Sequence, residues 1–222
     1  MSRAIPPRFR PPQLGDKVHK LAAIMATPGR PEIYRRIISL WPEPAALVPG
    51  ATEAATRLLD VGSWPKIGFS AQMMFLDAAG YLPDDILTKV DRASMAASLE
   101  ARVPLLDHRV VEFAWRLPMN LKLRGGKGKY VLRRLLARYV PERLIERPKM
   151  GFGVPIDSWL RGPLRDWAES LLATDRLKRE GILDPVPIRR RWDEHMSGGR
   201  NWQHALWAVL MFQAWRERWM RT

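Results

Sequence analysis

The stretch at residues 81–118, YLPDDILTKVDRASMAASLEARVPLLDHRVVEFAWRLP, decides the fold. Pro83 stands before two acids, Asp84 and Asp85. Proline at a first helical position gives up an amide hydrogen that would have no partner there, and carboxylates suit the positive end of a helix dipole. The spacing therefore predicts a helix over 84–98, with Ile86, Val90, Ala93 and Ala97 as its core stripe. A Glu100-Ala101-Arg102 corner and Pro104 follow. Asp107 is then placed to cap a second helix, with Val110, Val111 and Ala114 inward, until Pro118 stops it.

Working outward, helical spacing recurs on both sides. Upstream, Leu21, Ile24 and Met25 form one apolar face, and Ile33, Ile37 and Leu40 another. Residues 41–50, WPEPAALVPG, break the chain, and further helices are expected over 52–59 and 70–78. Downstream, 126–141 sets Leu132, Leu135, Leu136 and Tyr139 against Arg133, Arg134 and Arg138, an amphipathic helix with a basic back. Helical segments begin again near 155 and 185, and a last one covers about 201–220. No window alternates with period two over a useful length, and no internal repeat is present. The fold class is mainly α, with residues 1–13 as a loose arm and 14–222 as one helical part. The tryptophans of the last third (Trp192, Trp202, Trp207, Trp215, Trp219) are expected to fill the core, with a stacking surface for bases as the alternative.

The 222 residues include no cysteine, which excludes disulfides, thiolate metal sites and a cysteine nucleophile within this sequence and is compatible with a reducing cytoplasm. The longest apolar run, 205–212, is far short of the roughly 20 residues a membrane span needs. Residues 1–12 carry charge and proline but no apolar segment of signal-peptide type. Four histidines (His19, His108, His195, His204) form no i, i+4 pair, so no metal site is expected. Net charge is +14, and residues 116–149 hold eleven Lys or Arg against Glu142 and Glu146. Such a density attracts phosphates or polyanions; a solvated basic face is the plainer reading.

Two glycine-rich stretches fail as phosphate loops. RGGKGKY, 124–130, has Tyr130 where a Walker loop needs a hydroxyl residue, and SGGRNW, 197–202, reads as a turn between helices. A third stretch, ERPKMGFGVP at 146–155, sets Lys149 between Pro148 and the Gly151/Gly153 pair. Proline biases Arg147 toward extended backbone and glycine opens conformations that side chains forbid, so Lys149 is presented on a shaped loop, either to a ligand or as part of a connector. Arg92, on the polar side of the first helix, and Arg102, in the corner, can both serve one anion, oriented by Asp91 or Glu100. Alternatively Glu100 and Arg102 simply staple the corner.

The 81–118 run, together with RGGKGKYVLRRLL (124–136), PERLIERPKMGFGVPIDSWLRGPLR (141–165) and NWQHALWAVLMFQAW (201–215), resembles the C-terminal part of the glutamine-hydrolysing asparagine synthetases. The likeness runs from near residue 14 to the end. It implies the helical half of an adenine-nucleotide α-hydrolase-like (PP-loop ATP pyrophosphatase) synthetase domain, with the parallel-sheet half missing. It also implies ATP-dependent adenylation of aspartate or a related carboxylate, then amidation by ammonia. Lys149 matches the family's catalytic lysine, and Arg92 and Arg102 match its ATP or phosphate contacts. The family's glutaminase cysteine and S-G-G-x-D-S pyrophosphate loop are absent, so ATP and Mg2+ would be bound mainly by other polypeptide. The chain is then expected to be inactive alone, cytoplasmic, and partnered by a chain carrying those parts. The alternative is a basic α-helical module that binds nucleic acid or another partner.

Overall fold

A computed structural model describes residues 14–54, 56, 60–146 and 153–220. In chain order the helices are α1 (Leu14–Met25), α2 (Arg30–Ile38), α3 (Phe69–Leu76), α4 (Thr88–Met95), α5 (His108–Arg116), α6 (Met119–Lys122), α7 (Tyr130–Leu136) and α8 (Glu142–Ile145). The remainder are α9 (Ile156–Arg161), α10 (Arg165–Leu171), α11 (Thr174–Glu180), α12 (Pro185–Met196) and α13 (Gln203–Trp219). Among the described residues the only strands are β1 (Leu123–Arg124) and β2 (Lys127–Gly128), an antiparallel hairpin. The chain divides into two compact units, one made of Met1–Val61 with Gly153–Thr222, the other of Gly62–Phe152.

The first unit has a closed core. Leu160, Leu171, Leu172, Ile188, Leu206 and Leu210 are buried within one cluster on α9, α10, α12 and α13, and Trp41, Leu47 and Val48 pack against it. Leu47 also accepts a 2.9 Å hydrogen bond from the Asp184 amide. The tie that brings residues 41–48 here is aromatic and cationic. The Trp41 indole donates to the Ala205 carbonyl at 3.0 Å, and the Arg191 guanidinium lies 3.6 Å from the Trp41 ring centroid and 4.5 Å from that of Trp202. Arg191 is only 9% exposed, and its Nε and Nη1 have no hydrogen-bond partner. Two indole faces supply negative field to the guanidinium, with the charges of Glu194 and Glu43 adding to it.

His195, on the same α12 stripe, is fully buried. Its Nδ1 accepts from the Trp202 amide at 3.3 Å, which assigns the proton of the neutral ring to Nε2. Nε2 faces Asp157 Oδ1 at 3.7 Å, too far for a good hydrogen bond, while Arg161 pairs with that same oxygen at 3.0 Å. Burial first, and the Arg161 charge second, push the His195 pKa below its ordinary value, with Asp157 opposing.

The second unit departs from expectation. α3 continues into α4 without a break, through an eleven-residue segment of wide π turns, Asp77–Leu87, with Pro83 inside it. The Thr88 hydroxyl donates to the Pro83 carbonyl at 2.9 Å, and Pro83 has no amide hydrogen to give to these turns. Asp84 and Asp85 therefore lie mid-helix and not in a first turn; Asp85 pairs with Lys89. Of the expected stripe, Ile86 is half-buried, but Val90, Ala93 and Ala97 are exposed, as are Val110 and Ala114 of α5. The apolar period is present, yet among the described residues nothing covers it. The same applies in the first unit to Leu21, Met25, Ile37 and Leu40, where Tyr34 is instead the buried residue of α2, and to Trp215 and Trp219, which stay exposed while Trp192 is buried.

Trp41→Ala removes an indole hydrogen bond, one face of the Arg191 stack and packed apolar area, and is expected to cost about 2 kcal/mol, read as a lower urea midpoint. Because the folded state holds His195 neutral while the unfolded chain takes up a proton near pH 6.5, stability should be full above that value and fall as pH drops below it. Urea midpoints measured between neutral and mildly acidic pH check this, and His195→Gln should flatten that slope.

Candidate functional site

α4 carries Arg92 and ends in a tight stop. The Ser98 amide donates to the Met95 carbonyl and the Leu99 amide to the Ser94 carbonyl, each at 2.9 Å, the paired bonds of a Schellman ending. That ending needs a left-handed residue, and Ser98 takes it with φ 56°. A residue with a Cβ is disfavoured there by roughly 1 kcal/mol. The chain then turns through the corner. Arg102 gives Nε and Nη2 to the two oxygens of Glu100, both at 3.3 Å, and its side chain is 82% exposed. The stapling role is thus the one the geometry displays. Beyond the corner Asp107 caps α5 as the sequence predicts, accepting from the Arg109 amide at 2.9 Å. The Arg109 guanidinium grips the same carboxylate with two further 2.9 Å bonds. Those side-chain bonds first, and the amide next, hold the Asp107 pKa below the usual carboxylate range.

The basic stretch is built around one acid. The Gly125-Gly126 turn has positive φ at both central residues, 56° and 74°, which two-residue hairpins require. Lys129 is also left-handed, at φ 59°, and starts α7. Arg133 of α7 donates to the Gly128 carbonyl at 3.0 Å and to Glu146 at 2.8 Å, and Lys127 reaches Glu146 at 3.2 Å. Hydrogen bonding from Lys127 leads the causes that lower the Glu146 pKa, with the charge of Arg133 contributing. Glu146 lies three residues before Lys149, so the chain entering that loop is anchored by hairpin and helix together.

Lys149 itself lies outside the described residues. Arg92 and Arg102 are both exposed, and neither lines the unit's cavity of about 440 Å³ along α7 or that of about 400 Å³ between α3 and α6. Both arginines are open to solvent anions. Among the described residues no group of three or more His, Asp or Glu could hold a metal ion, and no helix is long and apolar enough to cross a membrane. Helical spacing does not single out the Glu146 anchor or the Asp107–Arg109 grip; two acids, Glu142 and Glu146, amid eight Lys or Arg over 122–146 are the available signal for the first.

Residues 2–217 match the family described as asparagine synthase. The chain is 40% identical over 146 residues to a putative glutamine-hydrolysing asparagine synthetase of Mycobacterium tuberculosis (strain ATCC 25618 / H37Rv), covering 65% of this chain and 22% of that protein. It is 32% identical over 144 residues to glutamine-hydrolysing asparagine synthetase 1 of Bacillus subtilis (strain 168), with the same coverages of 65% and 22%. To the glutamine-hydrolysing asparagine synthetase of Gallus gallus it is 29% identical over 148 residues, 59% of this chain and 26% of that one. The chain thus spans about a fifth to a quarter of the length of the curated relatives it matches. No solved structure matches.

Ser98→Gly removes the left-handed penalty while keeping both terminal hydrogen bonds, and is expected to stabilise the α4 ending by up to about 1 kcal/mol. Slower hydrogen exchange at the Ser98 and Leu99 amides would report it; unchanged or faster exchange would contradict the reading.

Proposed function

Because this chain belongs to the asparagine synthase family, we propose that it is the helical, phosphate-facing part of an ATP-dependent amide-forming enzyme. The observation that carries the reading is the family match across residues 2–217, which takes in the α4 helix, the corner and the Lys149 loop. In the proposed reaction a carboxylate oxygen of aspartate or a related acid attacks the α-phosphorus of ATP, and the bond to the β-phosphate breaks. Pyrophosphate leaves with the electron pair. Ammonia then attacks the acyl carbon and AMP departs.

Negative charge moves onto the leaving pyrophosphate in the first step, so cations already in place stabilise the transition state more than the ground state. Lys149 is the catalytic cation of this reading, and Arg92 and Arg102 bind phosphate. Arg102 starts paired to Glu100, but an ion pair this exposed is worth only about 0–1 kcal/mol, so a polyphosphate of higher charge can draw the guanidinium away. Magnesium, which the family's chemistry implies, has no ligand cluster among the described residues and is given no step here. The sequence also holds no cysteine to release ammonia from glutamine and no S-G-G-x-D-S loop, and polypeptide outside these 222 residues supplies both.

The test is made in the enzyme completed with those parts. Lys149→Ala is expected to lower aspartate-dependent pyrophosphate release about a hundredfold, and Arg92→Ala by a smaller factor. Unchanged pyrophosphate release in Lys149→Ala removes the lysine from catalysis.

A further inference from the structure

One cavity of the second unit has no part in that chemistry. It runs along α7 and α8, encloses about 440 Å³, and is walled by Leu132, Leu135, Leu136, Tyr139 and Ile145. These side chains are largely open; Tyr139 is 78% exposed and Leu135 50%. Lys129 and Arg133 also line it. Arg134, Arg138 and Arg143 stand exposed on the same two helices and the turn between them, and among the described residues none of the three is ion-paired. Over 122–146 the chain carries eight Lys or Arg against Glu142 and Glu146, and Glu146 is already held by Lys127 and Arg133.

From this charge pattern we propose that the α7–α8 groove is a docking site for an acidic amphipathic helix of a partner polypeptide. Apolar residues at i, i+3 or i+4, and i+7 of that helix would fill the leucine-lined trough, the recognition mode of helix-in-groove complexes. Its flanking Glu or Asp side chains would meet Lys129 and Arg133 in the groove wall, drawn in by the wider basic field of Arg134, Arg138 and Arg143, where charge chiefly sets approach rate and specificity. A second copy of this chain fits poorly, since each carries +14 and would bring like charges together. Nucleic acid would satisfy the arginines and leave the leucines wet. A bilayer would need a convex apolar surface, and this one is concave. The inference stands apart from the adenylation reading and uses none of its residues.

The full chain is titrated, at near-physiological salt, into a fluorescein-labelled peptide of roughly four helical turns with leucine at i, i+3, i+4 and i+7 and glutamate elsewhere. A scrambled peptide of identical composition, a DNA duplex and phosphatidylserine vesicles serve as the other arms. The expected result is saturable binding at least tenfold tighter for the patterned peptide than for the scramble. Tyr139→Ala, a change at an exposed position that should leave the circular dichroism spectrum intact, and Leu135→Ser are each expected to weaken it about tenfold. Equal affinity for the scramble, no binding, or indifference to both variants would overturn the proposal. So would tighter binding to duplex or vesicles, or sedimentation showing self-association that Tyr139→Ala abolishes.

Discussion

A guanidinium held between two indole rings joins the start of this chain to its end. Trp41 and Arg191 are 150 positions apart, and the closure entropy of so long a loop must be met by contacts made where it closes. A carboxylate partner for Arg191 would itself need desolvating, and buried ion pairs often only break even on that account. The faces of Trp41 and Trp202 provide attraction with no second charge to bury. Around that stack the leucines of α9, α10, α12 and α13 close a core, and His195 completes it by staying neutral.

The second unit presents the opposite case. Its helices carry clear apolar stripes, yet among the described residues of that unit only Trp64, Leu76 and Gly80 are buried. Contiguous exposed apolar surface in a protein generally marks a place where something else packs. The residues proposed to meet phosphate sit on this open unit, which accords with a site whose floor is built from other polypeptide.

Periodicity made much of this legible. The Asp107 cap and the turn at 197–202 follow from local chemistry that tertiary context did not override, whereas the amphipathic helix expected over 126–141 is confined to Tyr130–Leu136, with Lys127–Gly128 taken up by the hairpin and Arg138 and Tyr139 beyond its end. What periodicity cannot say is whether a stripe has a partner, and so it points Val90, Ala93 and Val110 inward although all three are exposed. Arg191 and His195 were legible in principle: with Ile188 and Trp192 they occupy i, i+3, i+4 and i+7 on one face, but polar residues on such a face are easily discounted. Pro83 suggested a helix start because the α-helix, and not the wider turn, is the usual reference. Lys149 stands out through resemblance to a family, since loop composition alone leaves ligand and connector both open.

The wide-turn segment Asp77–Leu87 sets where Arg92 points. In an α-helix each residue swings the next side chain by about 100°, whereas a five-residue hydrogen-bond step spreads the same rotation over more chain. Adding or deleting a single residue among these wide turns would thus let the rod survive while turning Arg92 toward a different quarter of its circumference. Chain length there works as an azimuth setting for the exposed Arg92 guanidinium.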